Sequence, residues 1–407
     1  MKRPNIQVIA TAEAAVLAMA LVFAIARFTN PLDTRGVTWD FRYYIAMAQD
    51  GFRTPGASPF AYRYVTTLIV HALIGLPGIP IEQGFRIVAY VGAFLQLFGV
   101  FLFTQWFTRS TKGAYIALIV TAFSLFNVKF LFFDLYRPDH LAYALILLQT
   151  YLAFKRKFVP LLVVTLIASQ VREFNIIPLI AYLAAFLRDK DRPAVVREVS
   201  VSIVALILAI GLPRLLIPVA ENFQFAALSR NGILRVLIAP LVLSRDVNYL
   251  YTLIAYLLPI LMLARLSEIR RVLQSLPVEV RNFLAVYTGL VLVFSFLGGT
   301  DFFRFATYLF MPQAILLGFL VPRSHVLEVA VMGVGVLVFN RIWMQFPQPS
   351  QGGVYMDLYG GYSTRFNGAS VLRLLECLGF IGVGILVRRF HHAAGLGSQV
   401  AANDLDG

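Results

Sequence analysis

The segment Gly84–Phe107 reads GFRIVAYVGAFLQLFGVFLFTQWF, and Arg86 is its only charged residue. An α-helix rises about 1.5 Å per residue, so a segment of this length covers the ~30 Å hydrocarbon core of a bilayer. A soluble helix of comparable length would carry a polar face along its whole length. The segment therefore predicts a helix that spans a membrane.

The rest of the chain has the composition that this segment leads one to expect. Of the 407 residues, 59% are hydrophobic and 14% are charged, whereas about a quarter are charged in ordinary soluble domains. The mean hydropathy is +0.76. We therefore predict an all-α, polytopic membrane protein with about 12 spans. The predicted spans lie near residues 7–27, 84–107, 114–133, 139–154, 158–171, 174–187, 198–218, 247–264, 282–299, 304–321, 326–346 and 371–387.

One further apolar segment, Tyr64–Leu76, has only 13 residues and is bounded by prolines. This length is short of the ~20 residues that a span requires. It predicts a membrane-embedded or interfacial half-helix within a long first outer loop, residues 28–83. Shorter outer loops are predicted at 219–246 and 347–368. The chain thus divides into a first transmembrane module (1–220), a second one (221–390) and a tail (391–407).

The net charge of +14 would suggest nucleic acid as a partner in a soluble chain. In a membrane protein, Lys and Arg accumulate in cytoplasmic loops. Basic clusters lie at 155–157, 188–197, 265–271 and 388–389, and they predict that both termini are cytoplasmic. The predicted location of the protein is the inner membrane of a bacterium. The first apolar run is interpreted as a retained span, with a signal peptide as the alternative.

Of the six lysines, only Lys129 falls outside the segments predicted to be cytoplasmic, and all other basic residues outside those segments are arginines. An arginine fork binds phosphate through two parallel hydrogen bonds, so an outer cavity that handles phosphate is predicted. The alternative explanation for the many arginines is a genome that prefers arginine codons everywhere.

The acids of the predicted outer loops have a simpler interpretation. Most of them have an arginine within four residues, which predicts local ion pairs. Arg172 and Glu173 lie either between two short helices at the floor of a water-filled cavity or within one long, tilted helix.

The sequence lacks the short motifs of several enzyme classes. It contains no GxxxxGK[ST] phosphate loop, no HExxH and no CxxC, so ATP-driven transport and zinc hydrolysis have no support. The single cysteine, Cys377, excludes an intramolecular disulfide. Any chemistry must therefore take place within the membrane or at its outer surface.

The first outer loop resembles that of membrane glycosyltransferases of the C superfamily (GT-C). The similarity to lipid A aminoarabinose transferases and protein O-mannosyltransferases includes an acid near the start of the loop, juxtamembrane helices and a second span. In those families the acid usually stands as Asp-Glu, whereas Phe41 follows Asp40 here. The matching residues are Asp40, Tyr44, Ala48, Gly51, Pro59, Tyr62 and Arg86, followed by Tyr136-Arg137-Pro138-Asp139, Arg172-Glu173 and Arg304-Phe305 with Tyr308.

This resemblance implies an inverting transfer from a polyprenyl-phosphate sugar to an acceptor hydroxyl, which belongs to a glycan, a lipid or a protein. Asp40 would be the general base. The resemblance also implies arginines that bind the lipid phosphate: Arg304, Arg172, Arg137 and Arg86. The implied substrate-binding residues are Tyr44, Tyr62, Arg63, Asp139 and Glu173. The aromatic residues of this loop, Trp39 among them, are alternatively an interfacial belt, which is the commoner role of Trp and Tyr. No cofactor and no metal ligands are predicted, and the sequence leaves open a requirement for a divalent cation.

Alternatives remain at this stage. For Arg304, the alternative role is an ion pair with Asp301, one turn away. The loop 347–368 is either an acceptor-binding lid or an ordinary surface loop. The protein as a whole is alternatively a flippase for a lipid-linked saccharide, although no internal repeat typical of transporters is visible. A polymerase or ligase that uses a lipid-pyrophosphate donor is the third reading.

Overall fold

The computed structural model describes residues 6–35, 40–51, 56–187, 191–217, 219–222, 243–297, 302–348 and 367–403. The α-helices are α1 Ile6–Arg27, α2 Phe41–Asp50, α3 Tyr64–Ile74, α4 Ile81–Thr108, α5 Thr111–Phe123, α6 Phe130–Phe133, α7 Asp139–Phe154, α8 Phe158–Ser169, α9 Ile177–Phe186, α10 Arg192–Leu216, α11 Leu243–Leu263, α12 Leu266–Ser275, α13 Val278–Leu297, α14 Phe302–Ala306, α15 Phe310–Leu320, α16 Val326–Asn340 and α17 Gly368–Asn403. Two short strands are described, β1 Gly56–Ser58 and β2 Val219–Asn222, and they pair in parallel.

The described part of the chain is helical apart from this strand pair and the connecting turns, as predicted, and each predicted apolar run contains a helix. Seven helices in the described segments are long and apolar enough to cross a membrane. An eighth span is obtained if the bent pair Thr111–Phe123 and Leu125–Phe133 is taken as one. The other apolar helices have 16 residues or fewer, among them α7. The coarse prediction of a polytopic helical protein therefore stands, and the number of spans stays a prediction.

The predicted span 114–133 is not one continuous helix. It bends by 66° at Ser124, whose backbone is extended, and a π-helical turn follows over Leu125–Lys129. The backbone N–H of Leu125 donates to Oδ1 of Asn340, 3.2 Å away. A side chain from a distant helix thus replaces the helical acceptor that the bend removes, and the buried N–H keeps a partner.

The first helix packs on its neighbours through small residues. Ala14 and Ala18, one turn apart, are fully buried, and α1 contacts α4 and α5. Small side chains let helix backbones approach closely within a membrane. The hydroxyl of Tyr115 on α5 donates to the carbonyl oxygen of Ala10 and interacts with the carboxylate of Glu13, each at 3.0 Å. Glu13, an unusual residue in an apolar segment, therefore has a hydrogen-bond partner.

The predicted first outer loop packs on one end of the helices. It contains α2, β1 and the half-helix α3, whose 11 residues agree with the predicted short segment. Nδ1 of His71 on α3 lies 2.7 Å from the carbonyl oxygen of Ala48 on α2. The N–H of Val65 donates to the carbonyl oxygen of Gln170, at 3.5 Å. The first bond holds α2 and α3 together, and the second joins the loop to the end of α8, at the junction that carries Arg172.

Helices of the C-terminal half pack directly on those of the N-terminal half. α13 packs on α9, and α15 packs on α4 and α5. At the crossing of α5 and α15, a Cβ on Gly113 would lie 2.7 Å from the Cα of Gly318, so the two backbones touch. α16 and α17 pack against α11. Residues far apart along the chain are thereby brought into one cluster.

Candidate functional site

Four segments converge beneath the first outer loop. They are the start of α2, the turn between α6 and α7, the junction between α8 and α9, and the short helix α14. Each carries an arginine or an acid that the sequence analysis singled out. Because each of these side chains stands at a helix end or in a turn, it projects from a point where the backbone changes direction.

Asp40 precedes α2, but its side chain makes no capping hydrogen bond to that helix. Its Oδ2 lies 3.6 Å from Nη1 of Arg137, and the Asp40 side chain is 32% exposed. Nε of Arg137 donates to Oδ2 of Asp134 at 2.5 Å, and both of those side chains are buried. Burial raises the pKa of Asp134, although Arg137 acts in the opposite direction. Arg137 therefore links a buried carboxylate to an accessible one.

Asp139 opens α7 and forms a buried ion pair with Arg172. Nε of Arg172 lies 3.0 Å from Oδ1 of Asp139, and the two side chains are 2% and 1% exposed. α8 ends at Ser169, and a 3-10 turn begins at Glu173. The junction thus separates two short helices, as one of the two interpretations of the sequence predicted, and Arg172 is enclosed by protein.

Arg63 and Glu173 pair across the first outer loop. Nε of Arg63 lies 3.1 Å from each carboxylate oxygen of Glu173. Nη1 of Arg63 donates to the hydroxyl of Tyr44 at 3.2 Å. Burial raises the pKa of Tyr44, so its hydroxyl stays protonated at neutral pH. These contacts fasten the loop onto the junction that carries Arg172.

Arg304 lies on α14 with 7% of its surface exposed. Its guanidinium carbon is 5.1 Å from the centre of the Phe305 ring. Asp134 and Asp139 both interact electrostatically with Arg304, which brings this residue into the same cluster. Asp301, the alternative partner considered above, lies outside the described residues.

Two predicted residues lie at the margin of the cluster or away from it. Tyr62 is buried, and the guanidinium carbon of Arg214 lies 4.6 Å from the centre of its ring. Arg86 is exposed near the start of α4. It interacts electrostatically with Tyr136, and it lies apart from the ion pairs described above.

Several members of the site were missed by the sequence analysis. From the sequence, Asp134 was predicted only to form a local ion pair. It does pair with Arg137, three residues away, and through Arg137 it is also part of the site. Phe174 stacks on Tyr308 with ring centres 4.6 Å apart, and on Phe305 with centres 5.2 Å apart. These rings form an apolar wall between Arg172 and Arg304. No sequence signal connects Phe174 with Tyr308, because the contact arises only from tertiary packing.

Exposure differs systematically within the cluster. Asp40 and Glu173 have side chains that are 32% and 36% exposed, whereas those of Arg63, Arg137 and Arg172 are 11% exposed or less. Among the described residues, the arginines 63, 137, 172 and 304 face the acids 40, 134, 139 and 173, so charge is balanced. A buried guanidinium costs much less when it is paired. The arrangement can offer a solvent-accessible carboxylate above a layer of fixed guanidinium groups.

The described residues contain no group of three or more His, Cys, Asp or Glu side chains arranged to hold a metal ion. The carboxylates of the cluster are instead each engaged with guanidinium groups. Trp39 and most of the loop 347–368, interpreted above as either an acceptor-binding lid or an ordinary surface loop, lie outside the described residues.

Comparison with known proteins adds no relative of this chain. No protein-family model matches it, and no curated protein or solved structure is significantly similar to it.

Proposed function

We propose that this protein is an integral membrane glycosyltransferase that moves a sugar from a polyprenyl-phosphate donor to an acceptor hydroxyl at the extracytoplasmic face. The observation that carries the proposal is the pairing of Asp40 with Arg137 in a cluster that also holds Arg172 and Arg304. A partly exposed carboxylate next to several guanidinium groups suits a reaction in which a hydroxyl is deprotonated and a phosphate leaves.

In the proposed reaction, the carboxylate of Asp40 accepts the proton of the acceptor hydroxyl while that oxygen attacks the anomeric carbon. The bond between the anomeric carbon and the phosphate oxygen breaks, and its electron pair stays on the phosphate. Attack from the side opposite the leaving group inverts the anomeric configuration. The proton leaves Asp40 through its exposed edge.

Arginines supply what the leaving group needs. A polyprenyl phosphate is stable as an anion and requires hydrogen-bond donors, not a proton. Arg304 is assigned this role because the resemblance implies it and because its electrostatic interactions with Asp134 and Asp139 bring it into the cluster. Arg137 is a positioning residue, since Asp134 holds its guanidinium 3.6 Å from Asp40.

The Asp40→Asn variant tests the proposal, with Asp33→Asn as the matched control. Asp33 lies in the same loop, is exposed and pairs with Arg35. Both variants are purified and assayed for transfer from a panel of polyprenyl-phosphate hexoses and pentoses. We expect Asp40→Asn to lower turnover about 10²–10⁴-fold, the range for loss of a general base, and Asp33→Asn to retain wild-type turnover.

Wild-type turnover by Asp40→Asn would refute the assignment of the base. If no donor of the panel supports transfer, the wild-type protein is reconstituted in liposomes with labelled donor lipid. Movement of that lipid between leaflets without sugar transfer would refute the glycosyltransferase and favour a flippase.

A further inference from the structure

A second polar site lies at the opposite end of the helices. A cavity of about 400 Å³ opens where the end of α11, the start of α12 and the C-terminal part of α17 meet. We call it the α11–α17 notch. Three arginines line it, Arg265, Arg388 and Arg389, opposite an apolar wall of Leu261, Ile381 and Ile385. In the topology predicted above, the notch lies at the cytoplasmic surface of the membrane.

Arg388 is the unusual member of the notch. Only 7% of this residue is exposed, and its Nε and Nη1 atoms are buried without a hydrogen-bond partner among the described residues. A buried guanidinium normally has its donors satisfied, because an unpaired buried charge is costly. The unsatisfied donors of Arg388 therefore point to a ligand that accepts hydrogen bonds.

The neighbouring acids are already engaged. Oε2 of Glu268 lies 3.8 Å from Nη1 of Arg388, which is beyond hydrogen-bond distance. The same oxygen accepts a hydrogen bond of 2.6 Å from the backbone N–H of Arg265, at the start of α12. Glu328 also interacts electrostatically with Arg388, but its Oε2 accepts from the backbone N–H of His325. Both carboxylates thus serve as helix caps.

The walls of the notch are held by a close helix crossing. A Cβ on Gly384 would lie 2.7 Å from the carbonyl oxygen of Met262, so the backbones of α17 and α11 are in contact. Arg388 is one turn beyond Gly384, and Leu261 adjoins Met262. The guanidinium and the apolar wall are therefore presented on a fixed scaffold, which lowers the entropic cost of binding a ligand.

We infer that the α11–α17 notch binds an anionic phospholipid, with the phosphate at Arg388 and an acyl chain along Leu261, Ile381 and Ile385. Guanidinium groups match phosphate oxygens in geometry and charge. Basic pockets between transmembrane helices on the cytoplasmic side are suited to anionic headgroups. The apolar wall next to the arginines favours a lipid over a free anion. This inference is independent of the proposed sugar transfer.

Native mass spectrometry of the delipidated, full-length protein tests the inference with two lipids, phosphatidylglycerol and phosphatidylcholine. We expect the wild type to retain phosphatidylglycerol preferentially. The Arg388→Gln variant should bind it about tenfold more weakly, as expected for loss of charge-assisted hydrogen bonds. The control Arg270→Gln removes an exposed charge from α12 outside the notch and should bind as the wild type does.

The Ile385→Trp variant separates a lipid site from a site for a free anion. It fills the apolar wall and keeps all three arginines, so it should lose phosphatidylglycerol as well. Inorganic phosphate, titrated into the lipid-loaded wild type, should not displace the lipid. Equal retention of both lipids, unchanged binding by Arg388→Gln, or displacement by inorganic phosphate would each overturn the inference. If Arg388→Gln does not fold, Arg389→Gln and Ile385→Trp test the inference instead: weaker binding of phosphatidylglycerol would support it, and unchanged binding would overturn it.

Discussion

Arg137 contacts two carboxylates at different distances and in different surroundings. The short contact to Asp134 is buried, whereas the 3.6 Å contact to Asp40 is partly exposed. Because the buried bond fixes the guanidinium, Arg137 lies next to Asp40 without enclosing it. In the proposed reaction, the base must stay accessible to the acceptor hydroxyl.

The Arg304→Lys variant tests the role of Arg304 as the phosphate ligand. Lysine keeps the charge but lacks the planar fork, so we expect the apparent KM for the lipid donor to rise about tenfold while kcat changes less. Steady-state kinetics with varied donor measures this change. Arg35→Lys, on the exposed pair with Asp33, is the control and should leave KM unaltered. An unchanged KM in Arg304→Lys would assign Arg304 to structure alone.

The buried pair of Arg172 and Asp139 predicts a strong thermodynamic coupling. Arg172→Met leaves the Asp139 carboxylate buried without its partner, so the free energy of unfolding should fall by about 3–5 kcal/mol. The double variant Arg172→Met with Asp139→Leu should lose much less, because neither charge remains. Unfolding in mixed micelles measures the double-mutant cycle. Additive losses would contradict a direct interaction between the two side chains.

At the level of residues, the sequence predicted the members of the cluster better than their partners. Asp139 lies two residues from Arg137, yet it pairs with Arg172. Glu173 adjoins Arg172 in sequence, yet it pairs with Arg63. Local pairing was therefore wrong for both acids, because the helix ends direct adjacent side chains to different sides. For Asp33 and Arg35, which share an exposed loop, it was correct.

At the level of elements, the apolar runs of the sequence predicted the helices, including the short α3, but not the bend at Ser124. The N–H of Leu125 donates to the side chain of Asn340, 215 residues away. No local sequence pattern predicts such a contact. Lys129, the one lysine outside the predicted cytoplasmic segments, follows the bend. Its Nζ donates to the carbonyl oxygens of Phe28, Ile342 and Met344. Lys129 thus links its own segment to the end of α1 and to the residues after α16. Its position is explained by this packing and not by membrane orientation.

The crossing of α5 and α15 yields a prediction about packing. Gly113→Ala would place a Cβ 2.7 Å from backbone atoms of Gly318, so the helices must separate. We expect a loss of stability of about 1–3 kcal/mol, typical of overpacking. Gly289→Ala on α13 is the control, because nothing lies within 4 Å of its added Cβ. It should be neutral or stabilising, since alanine favours helices over glycine. Thermal unfolding in detergent compares the two, and equal stability would contradict the close crossing.

At the level of the whole molecule, charge separates into two functional groups. The arginines beneath the first outer loop are matched by acids, so they contribute little to the net charge of +14. Somewhat more than half of the excess lies in the segments that the sequence assigns to the cytoplasm, which include Arg265, Arg388 and Arg389. The sequence alone indicated an arginine-rich outer cavity. It did not reveal this neutralisation, because ion pairs between distant segments depend on the fold.

Membrane orientation is the last prediction, and labelling single cysteines tests it in a Cys377→Ala background. Cys377 is buried, so its removal should not alter labelling elsewhere. Arg35→Cys probes the first outer loop, where the Arg35 side chain is 90% exposed. Ser58 belongs to the same loop but is only 1% exposed, which makes it unsuitable. Arg270→Cys, on the exposed side of α12, probes the opposite end.

A membrane-impermeant maleimide should label the Arg35→Cys variant in intact cells and the Arg270→Cys variant only after permeabilisation, because basic loops remain cytoplasmic. This outcome requires Asp40 to face the outside, where the acceptor is proposed to arrive, and the α11–α17 notch to face the inner leaflet. The reverse pattern would exclude both assignments together, since the two sites lie at opposite ends of the same helical structure.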